Sequence, residues 1–130
     1  MAPATTLPKK LLLKPDMQAR FVNTPAGFWQ TFGTLPAGVA LQSGGRATSD
    51  WILVFAKTRK ELLRFGPDAL GSLKRGGTFW AAYPKKNSGQ QTDLTVHDGW
   101  EPLVDAGFEN TASASIDGVW TAVRWRRAEA

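Results

Sequence analysis

The sequence predicts an α/β domain, a Rossmann-like three-layer arrangement in which a mostly parallel sheet carries helices on its faces and closes with a C-terminal antiparallel hairpin. Three observations predict it. Residues 51–56, Trp-Ile-Leu-Val-Phe-Ala, are apolar without alternation, as expected of a strand covered on both faces of a parallel sheet. Strand-like and helix-like stretches then alternate along the chain. Near the end, Asp117-Gly118 separates two strand-like segments, a pairing that suits a tight hairpin turn with positive φ at both central positions.

Residues 1–10 read as a loose leader, 11–127 as a single α/β domain and 128–130 as a short tail. A length of 130 residues suits one core rather than two. A short helix is expected around Pro8 to Leu12, closed at Lys14-Pro15-Asp16. Met17 to Asn23 is the first strand, broken by Thr24-Pro25-Ala26-Gly27, and Phe28, Trp29 and Phe32 mark one or two helical turns. Val39 to Leu41 is a short second strand. Ser43 to Asp50 is short for a parallel crossover, so either a loop crosses the sheet or the Val39 strand runs antiparallel.

Thr58 with Glu61 three residues on forms a capping box, which starts a helix. Gly66-Pro67 predicts a kink or two short segments, and Leu73-Lys74-Arg75-Gly76-Gly77 reads as the basic, glycine-closed end of that unit. Thr78 to Tyr83 is a further strand stopped by Pro84. Asp98 with Glu101 predicts a helix running to Gly107, and the segments 111–116 and 119–127 form the closing hairpin.

Composition excludes several chemistries. There is no cysteine, which removes disulfides, thiolate nucleophiles and cysteine-bound zinc or iron–sulfur centres. The run Leu11-Leu12-Leu13 is too short for a secretory core and no stretch is long enough to span a bilayer, so no membrane association is expected and the location is read as cytoplasmic. No serine elbow, dinucleotide glycine fingerprint or phosphate loop occurs. The sole histidine, His97, reads as surface or capping structure beside Asp98 rather than as a base. One imidazole with scattered carboxylates supplies no zinc-type ligand set, so neither a metal, a cofactor nor a catalytic residue is predicted.

A net charge of +5 favours anionic partners at long range. In sheets of this kind ligands bind beyond the carboxyl ends of the strands. Three segments meet there: Asn23 and Thr24; Lys57, Thr58 and Arg59; and Lys85, Lys86 and Ser88 in a polar loop. Cationic side chains and free helix N–H groups at one rim form an anion-binding composition, against the plain alternative of solvated surface. In the last segment, alternation places Trp120, Arg124 and Arg126 on one face and Trp125 on the other. Trp120 and Trp125 therefore read as packing or interface residues, with a homodimer as one outcome. Nucleic-acid binding by the adjacent arginines is the less favoured reading.

The phrases Leu13-Lys14-Pro15, residues 21–28, Trp80-Ala81-Ala82-Tyr83-Pro84-Lys85-Lys86, Thr92 to Thr95, Gly99-Trp100 and Val119 to Arg126 resemble a family of small bacterial proteins, domain of unknown function family 3052. The resemblance spans most of the chain from Leu11 and implies a Rossmann-like domain without importing an activity. The transition at 73–77 and the closing hairpin also resemble the C-terminal half of class I methyltransferases. After Val22, however, stands Asn23-Thr24-Pro25 in place of the glycine-rich loop that normally holds the methyl donor.

The function expected from the sequence is a noncatalytic or regulatory module that binds an anionic small molecule or a protein partner at the carboxyl edge of the sheet, leaning away from an enzyme. The alternative is a degenerate methyltransferase-like or nucleotide-dependent enzyme that acts by electrostatic positioning.

Overall fold

The computed structural model describes residues 7–42, 48–86, 88–89, 92–95 and 98–128. The elements are α1 (Leu7–Lys10), β1 (Gln18–Val22), α2 (Phe28–Phe32), β2 (Ala40–Leu41), β3 (Ser49–Phe55), α3 (Arg59–Leu70), β4 (Leu73–Pro84), α4 (Glu101–Val104), β5 (Phe108–Ser115) and β6 (Trp120–Arg127). The strands form one sheet in the order β2-β1-β3-β4-β6-β5. The first four run parallel, and β6 lies antiparallel between β4 and β5. His97 lies outside the described residues.

Strand alternation divides the core into two layers. Trp51, Leu53, Phe55, Trp80, Ala82, Trp120 and Ala122 face α1 and α2, whereas Ile52, Val54, Phe79, Ala81, Tyr83, Val123 and Trp125 face α3 and α4. The unbroken apolar run of β3 thus has the predicted cause, because both its faces are covered. The antiparallel alternative for the Val39 strand is excluded, since β2 pairs parallel with β1. Both Leu41 and Trp51 lie level with Ala19, so β2 ends where β3 begins and little distance separates them along the strands.

Three local expectations are corrected. The helix after Thr58 is continuous through Pro67, which sits in its last turn, and Gly71 caps it, so Leu73–Gly77 belong to β4 rather than to the helix end. The helix predicted from Asp98 begins at Glu101, because Asp98 is held in a turn by its amide donating to Thr95 Oγ1 at 2.9 Å. At the hairpin neither Asp117 nor Gly118 has positive φ. Instead the Asp117 carboxylate accepts the amides of Val119 at 2.8 Å and Trp120 at 2.9 Å, so a side chain takes the part expected of a primed turn.

The N-terminal helix depends on a distant contact. Leu13 N donates to Pro8 O at 2.8 Å and Leu12 N to Lys9 O at 3.1 Å, a Schellman closure with Leu12 at φ 68 where glycine is usual. Leu11 is then the C-cap residue, and its carbonyl is one that a helix end leaves without an internal partner. It accepts the indole N–H groups of Trp51 and Trp80, each at 2.7 Å, from neighbouring strands. All three residues are buried.

Either indole alone satisfies that carbonyl. Trp51→Phe and Trp80→Phe should each lower stability by about 1–2 kcal/mol. The double variant should lose more than the sum, because a buried acceptor is then left without a donor. Urea unfolding of the four proteins measures the difference, and additive costs would contradict a shared acceptor.

Candidate functional site

The strand order reverses direction between β1 and β3, since the chain passes from β1 outward to β2 and then back across to β3 and β4. Such a switch point leaves a crevice beyond the carboxyl ends of the two strands, where ligands of open α/β sheets bind. Here it is a cleft of about 220 Å³ lined by Asn23, Thr24, Pro25, Ala26, Lys57, Glu61 and Trp120. That volume lies below the roughly 300 Å³ at which small-molecule pockets usually begin.

Its floor is built by short-range chemistry. Asn23 has φ 59, a left-handed conformation that asparagine tolerates, and turns the chain away from β1 where a glycine could otherwise stand. Its side-chain amide donates to Phe55 O at 2.9 Å and to Glu61 Oε1 at 3.0 Å. Glu61 Oε1 also accepts from Lys57 N at 3.1 Å, while Glu61 N donates to Thr58 Oγ1 at 3.2 Å. The capping box is therefore present, with its reciprocal bond one residue earlier than the pattern requires.

The expectation of free N–H groups at this helix start is corrected. Arg59 N donates to Asp93 Oδ1 at 2.7 Å, and Arg59 Nε donates to Asp93 O at 3.2 Å. Two carboxylates of the chain, Glu61 and Asp93, thus occupy the place an external anion would take, stabilised by the positive end of α3.

Of the residues predicted to line a ligand site, the cleft brings together Asn23, Thr24 and Lys57, with Thr58 supporting it from the cap. Arg59 turns to Asp93. Lys85 leaves the same sheet edge but reaches the hairpin, donating from Nζ to Ser115 Oγ at 2.6 Å, beside a bond from Lys10 Nζ to Ser115 O at 2.7 Å. Lys86 is exposed, and Ser88 N donates to Lys85 O at 3.0 Å within the loop. None of Arg59, Lys85, Lys86 or Ser88 lines the cleft.

Sequence reasoning missed Glu61 and Trp120 as cleft residues. Glu61 was legible only as a cap, and Trp120 only as a packing or interface residue. Because β6 is antiparallel, its first residue lies at the carboxyl edge opposite Pro84, and the indole meets the Phe55 ring edge-on at 5.0 Å. Trp125 packs in the other layer, 5.4 Å from the Trp100 ring. Both tryptophans are covered by their own chain.

Among the described residues no group of three metal-binding side chains occurs, and no helix is long and apolar enough to cross a membrane. The phenol of Tyr83, at the end of β4, has its pKa raised by desolvation and is a protonated hydroxyl near neutrality, unsuited to act as a base.

No protein-family model and no curated protein matches the sequence. Solved structures do match, and methyltransferases are among them. The ribosomal protein L11 methylase of Lactobacillus delbrueckii subsp. bulgaricus aligns with TM-score 0.59 and 15% identity over 93% of this chain and 74% of that one. The N-methyltransferase NodS of Bradyrhizobium japonicum WM9 aligns with TM-score 0.56 and 10% identity over 88% of each chain. Magnesium protoporphyrin IX methyltransferase from Synechocystis PCC 6803, solved with bound SAH, gives TM-score 0.56 and 9% identity over 88% of this chain and 75% of that one. At such identities the likeness establishes the fold, which is that of class I methyltransferases.

These matches count against the expectation of a noncatalytic or regulatory module, leaning away from an enzyme, and favour its stated alternative, a methyltransferase-like protein. The signal was tertiary: the likeness is one of three-dimensional arrangement at 9–15% identity, and no local motif encodes a strand order such as β6 antiparallel between β4 and β5.

Two outcomes are expected. Asp93→Ala should cost about 0.5–2 kcal/mol and should make thermal stability respond to inorganic phosphate more strongly than in the parent, since it frees a helix-start donor. Equal responses of the two proteins would show that Asp93 does not occupy an anion position. Tyr83 is the sole tyrosine, so absorbance at alkaline pH reports it alone. Its midpoint should lie above that of the unfolded chain, and the stability linked to it should be complete below the unfolded value and lost as pH rises through the folded one. A midpoint matching that of the urea-unfolded protein would contradict this.

Proposed function

We propose that the chain is a methyltransferase-like enzyme with a degenerate donor pocket, which binds S-adenosylmethionine or its demethylated product at the β1/β3 crevice. The observation that carries the reading is that the cleft lined by Asn23, Thr24, Lys57 and Glu61 coincides with the switch point of a methyltransferase-like sheet. Kinship with domain of unknown function family 3052, to which the phrases at 80–86 and 119–126 point, is part of this proposal and brings no activity with it.

The lining chemistry suits such a ligand in part. The Glu61 carboxylate accepts hydrogen bonds, as ribose hydroxyls and an ammonium require, and the Lys57 side chain supplies a cation for a carboxylate. Trp120 adds an apolar wall. A bound donor would supply the methyl group. The protein's own contribution is orientation and electrostatic positioning, with no covalent intermediate on the chain.

The pocket is degenerate for a stated reason. Asn23 makes the turn after β1 through its tolerance of positive φ, but its side chain spans the crevice to Phe55 and Glu61, where glycine would leave space. The small cleft volume follows from that bridge.

Calorimetric titration with S-adenosylhomocysteine should show saturable binding, weakened about tenfold in Glu61→Gln, a loss of about 1.4 kcal/mol. Glutamine keeps an acceptor oxygen for the Lys57 amide and removes the charge, so circular dichroism should be unchanged. No heat signal and no thermal shift with the parent protein would remove the proposal.

A further inference from the structure

A second cleft, of about 670 Å³, opens at the opposite edge of the sheet, between the beginning of β4 and the end of β6. Lys74, Arg75, Arg124, Arg126 and Arg127 line it. Gly77 to Pro84 is eight residues of extended strand, whose steps along the chain put roughly 23 Å between this edge and the switch crevice.

The concentration of charge is built by the backbone. Between the pairs Ser49↔Leu73 and Trp51↔Thr78, β4 carries extra residues and bulges. Gly76 has φ 78, and a Cβ on Gly77 would lie 2.9 Å from both Asp50 O and Lys74 O, so neither position accommodates an ordinary side chain without strain. The bulge carries Lys74 and Arg75 at the sheet edge. The pairing Phe79↔Trp125, continued two residues, sets Arg127 opposite Gly77, and Arg124 and Arg126 share the other face of β6 from the buried Trp125.

Charge and shape select the ligand class. Among the described residues two carboxylates pair with this group: Asp50 Oδ1 with Lys74 Nζ at 3.5 Å, and Glu109 Oε1 with Arg126 Nε at 2.9 Å. Five cations against two carboxylates leaves an excess of three positive charges. Arg127 lies over the Phe108 ring, its Cζ 5.1 Å from the centroid, which restrains its exposed guanidinium. No aromatic ring lines the cleft, so it offers no stacking platform for unpaired bases. What remains is a broad groove of arginine and lysine tips, which matches a row of phosphates rather than a base or an apolar chain.

We infer that this edge binds the phosphodiester backbone of a nucleic-acid duplex, without reading its sequence. The inference is independent of the donor site, since no residue is shared between the two clefts.

Fluorescence anisotropy with a labelled duplex of about 20 base pairs, RNA in one arm and DNA in the other, tests it across a salt series. The parent protein should bind at least one duplex. The triple variant Arg75→Ala, Arg124→Ala, Arg127→Ala should weaken binding at least tenfold and lower the slope of log affinity against log salt by roughly 2 to 3. A charge-matched control, Lys9→Ala, Lys60→Ala, Arg64→Ala, should change affinity less than threefold, and Arg75→Glu alone provides the test should the triple variant fail to fold. The inference is overturned by absence of duplex binding at low salt, equal weakening in the control, or tighter binding to the single strand or to anionic vesicles. S-adenosylhomocysteine affinity should be the same in the parent and in Arg75→Glu, which separates failure here from failure at the crevice.

Discussion

One buried carbonyl organises the layer beneath which the rest of the protein is built. A helix of four residues has too few internal hydrogen bonds to stand alone, so α1 exists because its C-cap oxygen, on Leu11, receives two indole N–H groups from the middle of the sheet. Those bonds draw Leu11 and Leu13 down onto Trp51, Leu53 and Trp80 and cover a face that would otherwise expose large aromatic area. The left-handed conformation at Leu12 is a cost tolerated for that closure. Trp120 and Phe55, behind the switch crevice, belong to the same layer.

Strand order alone places the crevice, at the switch between β1 and β3. Its polar groups, however, are largely satisfied by one another: Asn23, Lys57, Thr58 and Glu61 form a closed set of hydrogen bonds, and Asp93 takes the next helix-start donor. A ligand that meets the Asn23–Glu61 pair must exchange bonds rather than fill vacant ones, and that exchange limits affinity. Charge is distributed oppositely at the far edge, where the β4 bulge and the end of β6 collect cations faster than carboxylates neutralise them.

Legibility followed the range of the interaction responsible. The central strand, the Thr58 cap and the alternation of the last strand rest on contacts within a few residues or on burial of whole faces, and sequence period records both. The failures share a cause. Leu73–Gly77 reads as a helix end because basic residues and glycines suit one, yet Gly71 had already ended the helix and the glycines instead permit a bulge against Asp50. Asp98 and Asp117 are good cap and turn residues in isolation, and each is held by a different local bond: the Asp98 amide donates to Thr95 Oγ1, and the Asp117 carboxylate accepts from Val119 N.

By itself, the sequence determined the layer class, the interior place of residues 51–55 and the exclusion of cysteine chemistry, because composition and hydrophobic period state what must be buried and what is missing. Only the tertiary structure decided the methyltransferase-like strand order, the meeting of Asn23, Lys57, Glu61 and Trp120, and the diversion of the Lys85 side chain to Ser115. The reason is physical: strand neighbours are chosen by the packing of entire faces across long loops, so partners separated by 38 or more residues, such as Asn23 and Glu61, leave no local trace of their contact.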